Sequence, residues 1–188
     1  MHIKNIQFGN NKLSNDDAFS LGAGLHTILG EINLVYNSIS NNGVKQIAKA
    51  LTNTWKCDSL NLSFNNIGDS GIKAIAYALA SNTHLTCLNI CDNEAITFTA
   101  LEYLLYVIER YNTTLVTLFF YNKSLGGRQF NIIRDRFNAH RYSVVSRQSK
   151  IAFMLCVDAL GFSMITENLI SSKILSMMTD LLEHETVV

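Results

Sequence analysis

The sequence predicts an α/β solenoid: about five short parallel strands, each followed by a helix, with further helices closing the C-terminal end. Three observations carry this. A phrase recurs as Leu29-x-x-Ile32-x-Leu34-x-x-Asn37-x-Ile39, then Cys57-x-x-Leu60-x-Leu62-x-x-Asn65-x-Ile67, then Leu85-x-x-Leu88-x-Ile90-x-x-Asn93. Its asparagines stand 28 residues apart twice, from 37 to 65 and from 65 to 93. Within each copy, a stretch of period two gives way to one of period 3.6. A fixed period of this length marks units that cannot bury their apolar face alone and therefore stack.

Ser59-Leu60-Asn61-Leu62-Ser63 alternates apolar and polar residues, which predicts a strand with one buried face. Gly71 to Leu79 then places Ile72, Ile75, Ala76 and Leu79 at helical spacing, which predicts an amphipathic helix. Gly43-Val44 followed by Ile47, Ala48, Ala50 and Leu51 repeats that second half. Asn37, Asn65 and Asn93 fall where the strand must turn inward. An asparagine carries two donors and an acceptor carbonyl, enough to satisfy backbone groups that a buried turn leaves unpaired. Gly43 and Gly71 come six residues later, where a tight backbone turn is expected.

The outer copies are less regular. The first reads Ile3-x-x-Ile6-x-Phe8-x-x-Asn11-x-Leu13, followed by Leu21 and Leu25, and is two residues short, since Asn11 to Asn37 is 26. The fourth has Ala95 and Thr99 in place of the apolar residue and the glycine, with a longer helix over 100–111. The fifth strand is Leu115-x-x-Leu118-x-Phe120; Lys123 occupies its asparagine position, with Asn122 one place early.

Over roughly residues 1–140 the phrase resembles the leucine-rich repeat. The 28-residue helix-containing form with glycine after the asparagine is similar to the ribonuclease-inhibitor type. That resemblance implies a right-handed α/β horseshoe that binds a protein on its concave sheet. The absence of proline, the many asparagines and the short chain also resemble leucine-rich repeat effectors of intracellular bacterial pathogens. This implies a translocated protein acting on a host target.

The strand columns nominate the contact surface. The central column is Gln7, Asn33, Asn61, Asn89 and Phe119; its neighbours include Glu31, Ser59, Cys87 and Thr117 on one side, and Val35, Ser63, Cys91 and Tyr121 on the other. The expected partner-binding residues are Glu31, Asn33, Asn61, Asn89, Phe119 and Tyr121, with Tyr36 and Phe64 just beyond the strands. Phe119 and Tyr121 are the expected hot spots. Asn11, Asn37, Asn65 and Asn93 are the expected structural asparagines. Singly, each open-face polar residue reads as solvating the sheet and forming ladders between strands; the surface as a whole reads as a binding face.

With 188 residues, 48% of them apolar and 16% charged, a single domain with a real core is expected. It divides into a solenoid over 1–141 and a helical cap over 142–188. A formal net charge of 0 supplies no general attraction to nucleic acid or to an acidic membrane. Between 128 and 150, Arg128, Arg134, Arg136, Arg141, Arg147 and Lys150 face only Asp135. These basic residues read either as a helix face and loop whose charges are solvated or paired with the acidic tail, or as an anionic contact site at the end of the solenoid.

Residues 146–160 read as a buried helix, and Ile165 to Leu182 as an amphipathic one sealing the solenoid. Ile165-Thr166-Glu167 with Lys173-Ile174-Leu175-Ser176-Met177 also resembles an F-box helix lacking its proline, which implies a ubiquitin-ligase substrate adaptor. The Met-containing face reads equally as a homodimer surface, and the sequence leaves the oligomeric state open.

No phosphate loop, nucleophile elbow, paired histidines or metal-ligand cluster is visible, so neither catalysis nor a cofactor is expected. His2, His26, His84, His140 and His184 are scattered, and Asp16 and Asp17 read as helix-start residues. Cys57, Cys87, Cys91 and Cys156 are irregularly spaced, and Met1 leads directly into a strand. A reducing cytoplasm is expected, or a host cytosol reached without a secretory signal.

Overall fold

The computed structural model describes residues 5–24, 30–53 and 56–148. The C-terminal helices read after position 148, the F-box-like stretch, Cys156 and His2, His26 and His184 lie outside the described residues. Five units of strand and helix follow one another. They are β1 (Ile6–Gln7) and α1 (Asn15–Gly24), β2 (Glu31–Asn33) and α2 (Asn41–Asn53), then β3 (Ser59–Asn61) and α3 (Asp69–Leu79). β4 (Cys87–Asn89) and α4 (Phe98–Tyr111), then β5 (Thr117–Phe119) and α5 (Gly127–Gln148), complete the series. The strands form one parallel sheet in the order β1-β2-β3-β4-β5. Across β2, β3 and β4 residues 28 apart are direct partners: Leu60 pairs with Ile32 and with Leu88.

Strand and helix bury opposite halves of each unit against the same core. Ile32, Leu60, Leu88 and Leu118 point inward from the strands and meet Ile47, Ile75 and Leu104 from the helices. Repeat after repeat contributes the same columns, so the core is one continuous apolar layer rather than five small ones.

Asparagine holds the strand-to-loop corner. Asn65 Nδ2 donates to the carbonyls of Leu34 (2.9 Å), Leu62 (3.1 Å) and Ser63 (3.2 Å), and its Oδ1 accepts from Ile39 N (3.1 Å). Asn93 repeats this one unit on, with Leu62 O (3.0 Å), Ile90 O (3.1 Å) and Ile67 N (3.0 Å). Asn37 reaches Phe8 O (2.9 Å) and Leu34 O (3.0 Å). The carbonyls of Leu34 and Leu62 are therefore each shared by two successive asparagines. Asn11 is exposed, and its side chain donates to Gly9 O (3.0 Å). At the fifth unit the corner is taken by Asn122, which is buried and donates to Ile96 O (2.9 Å), while Lys123 is exposed.

Two further asparagine columns were not anticipated from the phrase. Asn82 and Asn112 close the helix-to-strand corner: Asn112 Nδ2 donates to Leu79 O (2.8 Å), and its Oδ1 accepts from Leu115 N (2.8 Å). Asn82 bonds Leu51 O (2.8 Å) and Leu85 N (2.8 Å) in the same way. At the helix starts, a side-chain oxygen of one unit serves the next unit's helix. Asn15 Oδ1 accepts from Ser40 N and Gly43 N (both 2.9 Å), and Asn41 Oδ1 from Gly68 N and Gly71 N (both 2.9 Å). Asp69 accepts from Thr97 N (2.8 Å) and Thr97 Oγ1 (2.8 Å). Gly43 and Gly71 lie in the first turn, whose amides precede the intrahelical ladder, and Ser40, Gly68 and Thr97 stand immediately before their helices.

That column corrects the reading of Gly43 and Gly71. Both lie within helices, and what they supply is room. A Cβ on Gly71 would stand 2.8 Å from Asn41 Oδ1 and 2.8 Å from Ile67 Cγ2; on Gly43 it would meet Asn15 Oδ1 at 2.7 Å. In the arginine-rich segment Arg128 and Arg134 are exposed on α5, while Arg141 is buried. α5 runs through position 141, where the sequence reading ends the solenoid, and Arg136 forks onto Glu109 of α4 at 3.0 and 2.6 Å.

Asn65→Ala removes two contacts to the preceding unit and leaves Ile39 N and Leu34 O short of partners. It is expected to lower the unfolding free energy by about 2–4 kcal/mol, against less than about 1 kcal/mol for Asn11→Ala, in urea titration. Gly71→Ala is expected to destabilise by about 1–3 kcal/mol by overpacking, outweighing the ~1 kcal/mol by which alanine is the better helix former. A stabilised Gly71→Ala chain would show that the Asn41 contact yields freely.

Candidate functional site

In each of β2 to β5 the central residue is buried and its two neighbours are half-exposed. The helices pack behind the central residues, so the flanking columns line a sheet face with no layer over it among the described residues. The register aligns Gln7, Asn33, Asn61, Asn89 and Phe119 as direct neighbours, and Glu31, Ser59, Cys87 and Thr117 beside them. Five strands at about 4.8 Å give a patch roughly 20 Å across.

The face asparagines are partly committed. The Oδ1 atoms of Asn33, Asn61 and Asn89 accept from the backbone N–H two residues on, in Val35 (3.1 Å), Ser63 (3.0 Å) and Cys91 (3.0 Å). This is an Asx turn, and it bends the chain out of the strand. The oxygen does local work while the amide nitrogen stays available as a donor. The solvation reading and the binding reading thus fall on different atoms of one side chain.

Charge on this face is sparse, with Glu31 its carboxylate. The thiol of Cys87 is pushed up from its ordinary value, first by burial, while Ser59 hydrogen bonding opposes the rise. Burial pushes Cys57 up to about 12. Thiols held in this form are poor nucleophiles near neutral pH. Cys57, Cys87 and Cys91 form no disulfide among the described residues, and no group of three or more His, Cys, Asp or Glu able to hold a metal occurs there. No helix among them is long and apolar enough to cross a membrane.

The four nominated aromatic residues differ in exposure. Phe119 and Tyr121 are each half-buried, and Tyr121 meets Phe130 of α5 edge-on with ring centres 6.3 Å apart. Tyr121 is therefore partly engaged within the fold. The exposed pair is Tyr36 and Phe64, 55% and 39% exposed, stacked face to face at 4.1 Å with 17° between planes. Both have left-handed backbones, with φ of 54° at each.

Asn10 (φ 60°) and Asp92 (φ 53°) occupy the equivalent places in the first and fourth units. All four N–H groups extend the sheet ladder, as in Phe64 N to Cys91 O at 3.0 Å. The corner imposes this conformation on whatever residue stands there. Asparagine and aspartate tolerate it; a bulky aromatic pays about 1–2 kcal/mol. Tyr36 and Phe64 are thus held where cheaper residues fit, and such local strain points toward function.

Tyr36→Asn/Phe64→Asn together lose a stack worth about 0.5–1.5 kcal/mol and relieve two strained backbones. The melting temperature is expected within about 2–4 °C of the parent or above it. A much larger fall in calorimetry would assign the rings to stability instead.

The leucine-rich repeat family model matches residues 59–76 and 81–105, which span the third and fourth units. No curated protein matches the chain. Among solved structures, it is similar to actin-binding site 2 of leiomodin-1, at 22% identity and a TM-score of 0.61, over 78% of this chain and 87% of that one. It is also similar to the tropomodulin C-terminal domain of Caenorhabditis elegans, at 14% identity and a TM-score of 0.64, over the same 78% and 87%. The five-unit parallel sheet backed by helices, the family match and these likenesses agree on the fold: a leucine-rich repeat solenoid.

Proposed function

We propose that this chain is a non-catalytic protein-binding module that holds its partner on the open face of the sheet. The observation that carries the reading is the sheet face that no described residue covers. Parallel sheets are ordinarily covered on both sides, and a solenoid that leaves one side bare offers it to another macromolecule. The three face asparagines present amide donors in one row across neighbouring strands, 28 residues apart, next to the half-exposed ring of Phe119. This suits a polar, acceptor-rich protein surface rather than a phosphate backbone, because the row carries no cation.

The leiomodin-1 structure of this fold is named as an actin-binding site, so actin is the first protein to offer. Two narrower readings, a translocated effector and a ligase adaptor, rest on sequence resemblances alone.

A photo-crosslinking residue placed at position 119, on the sheet, or at position 77, on the outer side of α3, tests the surface directly. The same partner is expected to be trapped from position 119 and not from 77. It should be lost when Thr117→Arg/Phe119→Arg is introduced into an otherwise wild-type chain that melts at the parent temperature. Equal trapping from position 77, or binding unaffected by the two arginines, would move the function off the sheet.

A further inference from the structure

We propose that the place beside Phe64, at the end of the aromatic stack, is a slot for an arginine side chain of a protein partner. The inference deepens the protein-binding reading and rests on it, but it concerns a different surface: the rim just past the strands.

Four corner residues, Asn10, Tyr36, Phe64 and Asp92, stand one above another in successive units and share one backbone conformation. Tyr36 and Phe64 fill two consecutive places with stacked rings. Asp92 stands at the third place, where another ring would continue the stack. A short carboxylate there leaves Phe64 with a flat neighbouring space.

That space belongs to an open pocket of about 470 Å³ lined by Tyr36, Phe64, Asp92, Glu94 and Lys123, among others. The charges sum to two carboxylates against one ammonium, a net of −1. Partial burial lifts the Asp92 carboxyl above its ordinary value; Lys123 opposes the lift and Glu94 adds to it. A cation arriving at this site relieves a carboxylate that its surroundings disfavour.

The chemistry selects arginine among cations. A guanidinium is planar, stacks on an aromatic face and offers a fork of donors to a carboxylate, all in one group. A lysine ammonium satisfies the carboxylates but cannot fill the flat space against Phe64, and it sheds water less readily. The strained backbones of Tyr36 and Phe64 fit this use, because the corner would be more relaxed with asparagine at both positions.

The test is an NMR titration of the full 188-residue chain, uniformly ¹⁵N-labelled, with two capped tripeptides, Gly-Arg-Gly and Gly-Lys-Gly. The arginine peptide is expected to shift the amides of residues 64–66 and 92–95 and to bind at least about fivefold tighter than the lysine peptide. Phe64→Leu and Asp92→Asn/Glu94→Gln should each weaken it by at least about fivefold, with amide dispersion elsewhere unchanged. Asp92→Asn keeps a residue that tolerates the left-handed backbone, so this variant folds even if Phe64→Leu does not. Equal affinity for the two peptides, shifts centred elsewhere, no binding, or indifference to the carboxylate variant would each overturn the slot. Such a failure leaves the sheet-face crosslink untouched, and loss of that crosslink leaves the peptide titration readable.

Discussion

The continuous chain of asparagine amides and shared carbonyls along the strand-to-loop corner is the interaction on which the rest of the structure depends. Asn37, Leu34 O, Asn65, Leu62 O and Asn93 form an unbroken series of contacts running from unit to unit. Each carbonyl uses both lone pairs, and each asparagine ties its own unit to the one before. Burying this corner without such partners would cost several unsatisfied backbone groups per repeat. With them, the corner can turn inward beneath the sheet, and the strands can stand in register at full contact.

Two other corners follow the same rule with different chemistry. At the helix starts, Asn15, Asn41 and Asp69 spend a side-chain oxygen on the first turn of the next unit's helix. At the helix ends, Asn82 and Asn112 donate backward to Leu51 O and Leu79 O. The third unit is therefore stitched to each of its two neighbours at three points around the section, in addition to the sheet ladder. Stability in such an array is a sum of unit and neighbour terms. The glycines at 43 and 71 belong to this scheme, because the capping asparagine of the previous unit occupies the volume a side chain would need.

The corner geometry also shapes the candidate functional surface. The same left-handed residue that carries the chain from the ladder into the asparagine turn projects a side chain at the rim in each of the first four units. In the first and fourth units that residue suits the backbone. In the second and third it is aromatic and exposed, and the two rings stack. The rim and the open face thus offer different chemistry: aromatic surface with carboxylates at one edge, and a row of amide donors across the sheet.

Much of this was legible in the sequence, for a physical reason. A solenoid repeats its local problem, so periodicity reports at once the strand, the helix, the buried leucines and the corner asparagines 37, 65 and 93. The aligned column of Asn33, Asn61 and Asn89 was also readable, because pairing at 28-residue offsets is the period itself, and Phe119 joins it at an offset of 30. What escaped were properties that depend on contact between units. The capping role of Asn15, Asn41 and Asp69 is spread over residues 25 to 30 positions apart and has no local pattern. The space requirement at Gly43 and Gly71, the substitution of Asn122 for Lys123, and the engagement of Tyr121 by Phe130 are likewise settled by neighbouring units. So is the stacking of Tyr36 on Phe64, which needs both the left-handed backbone and the register to bring two rings 28 residues apart to 4.1 Å. The sequence by itself determined the repeating unit and its register, because both follow from hydrophobic period and amide chemistry. The tertiary structure alone decided which side chains meet across units, because those distances exist only once the units are stacked.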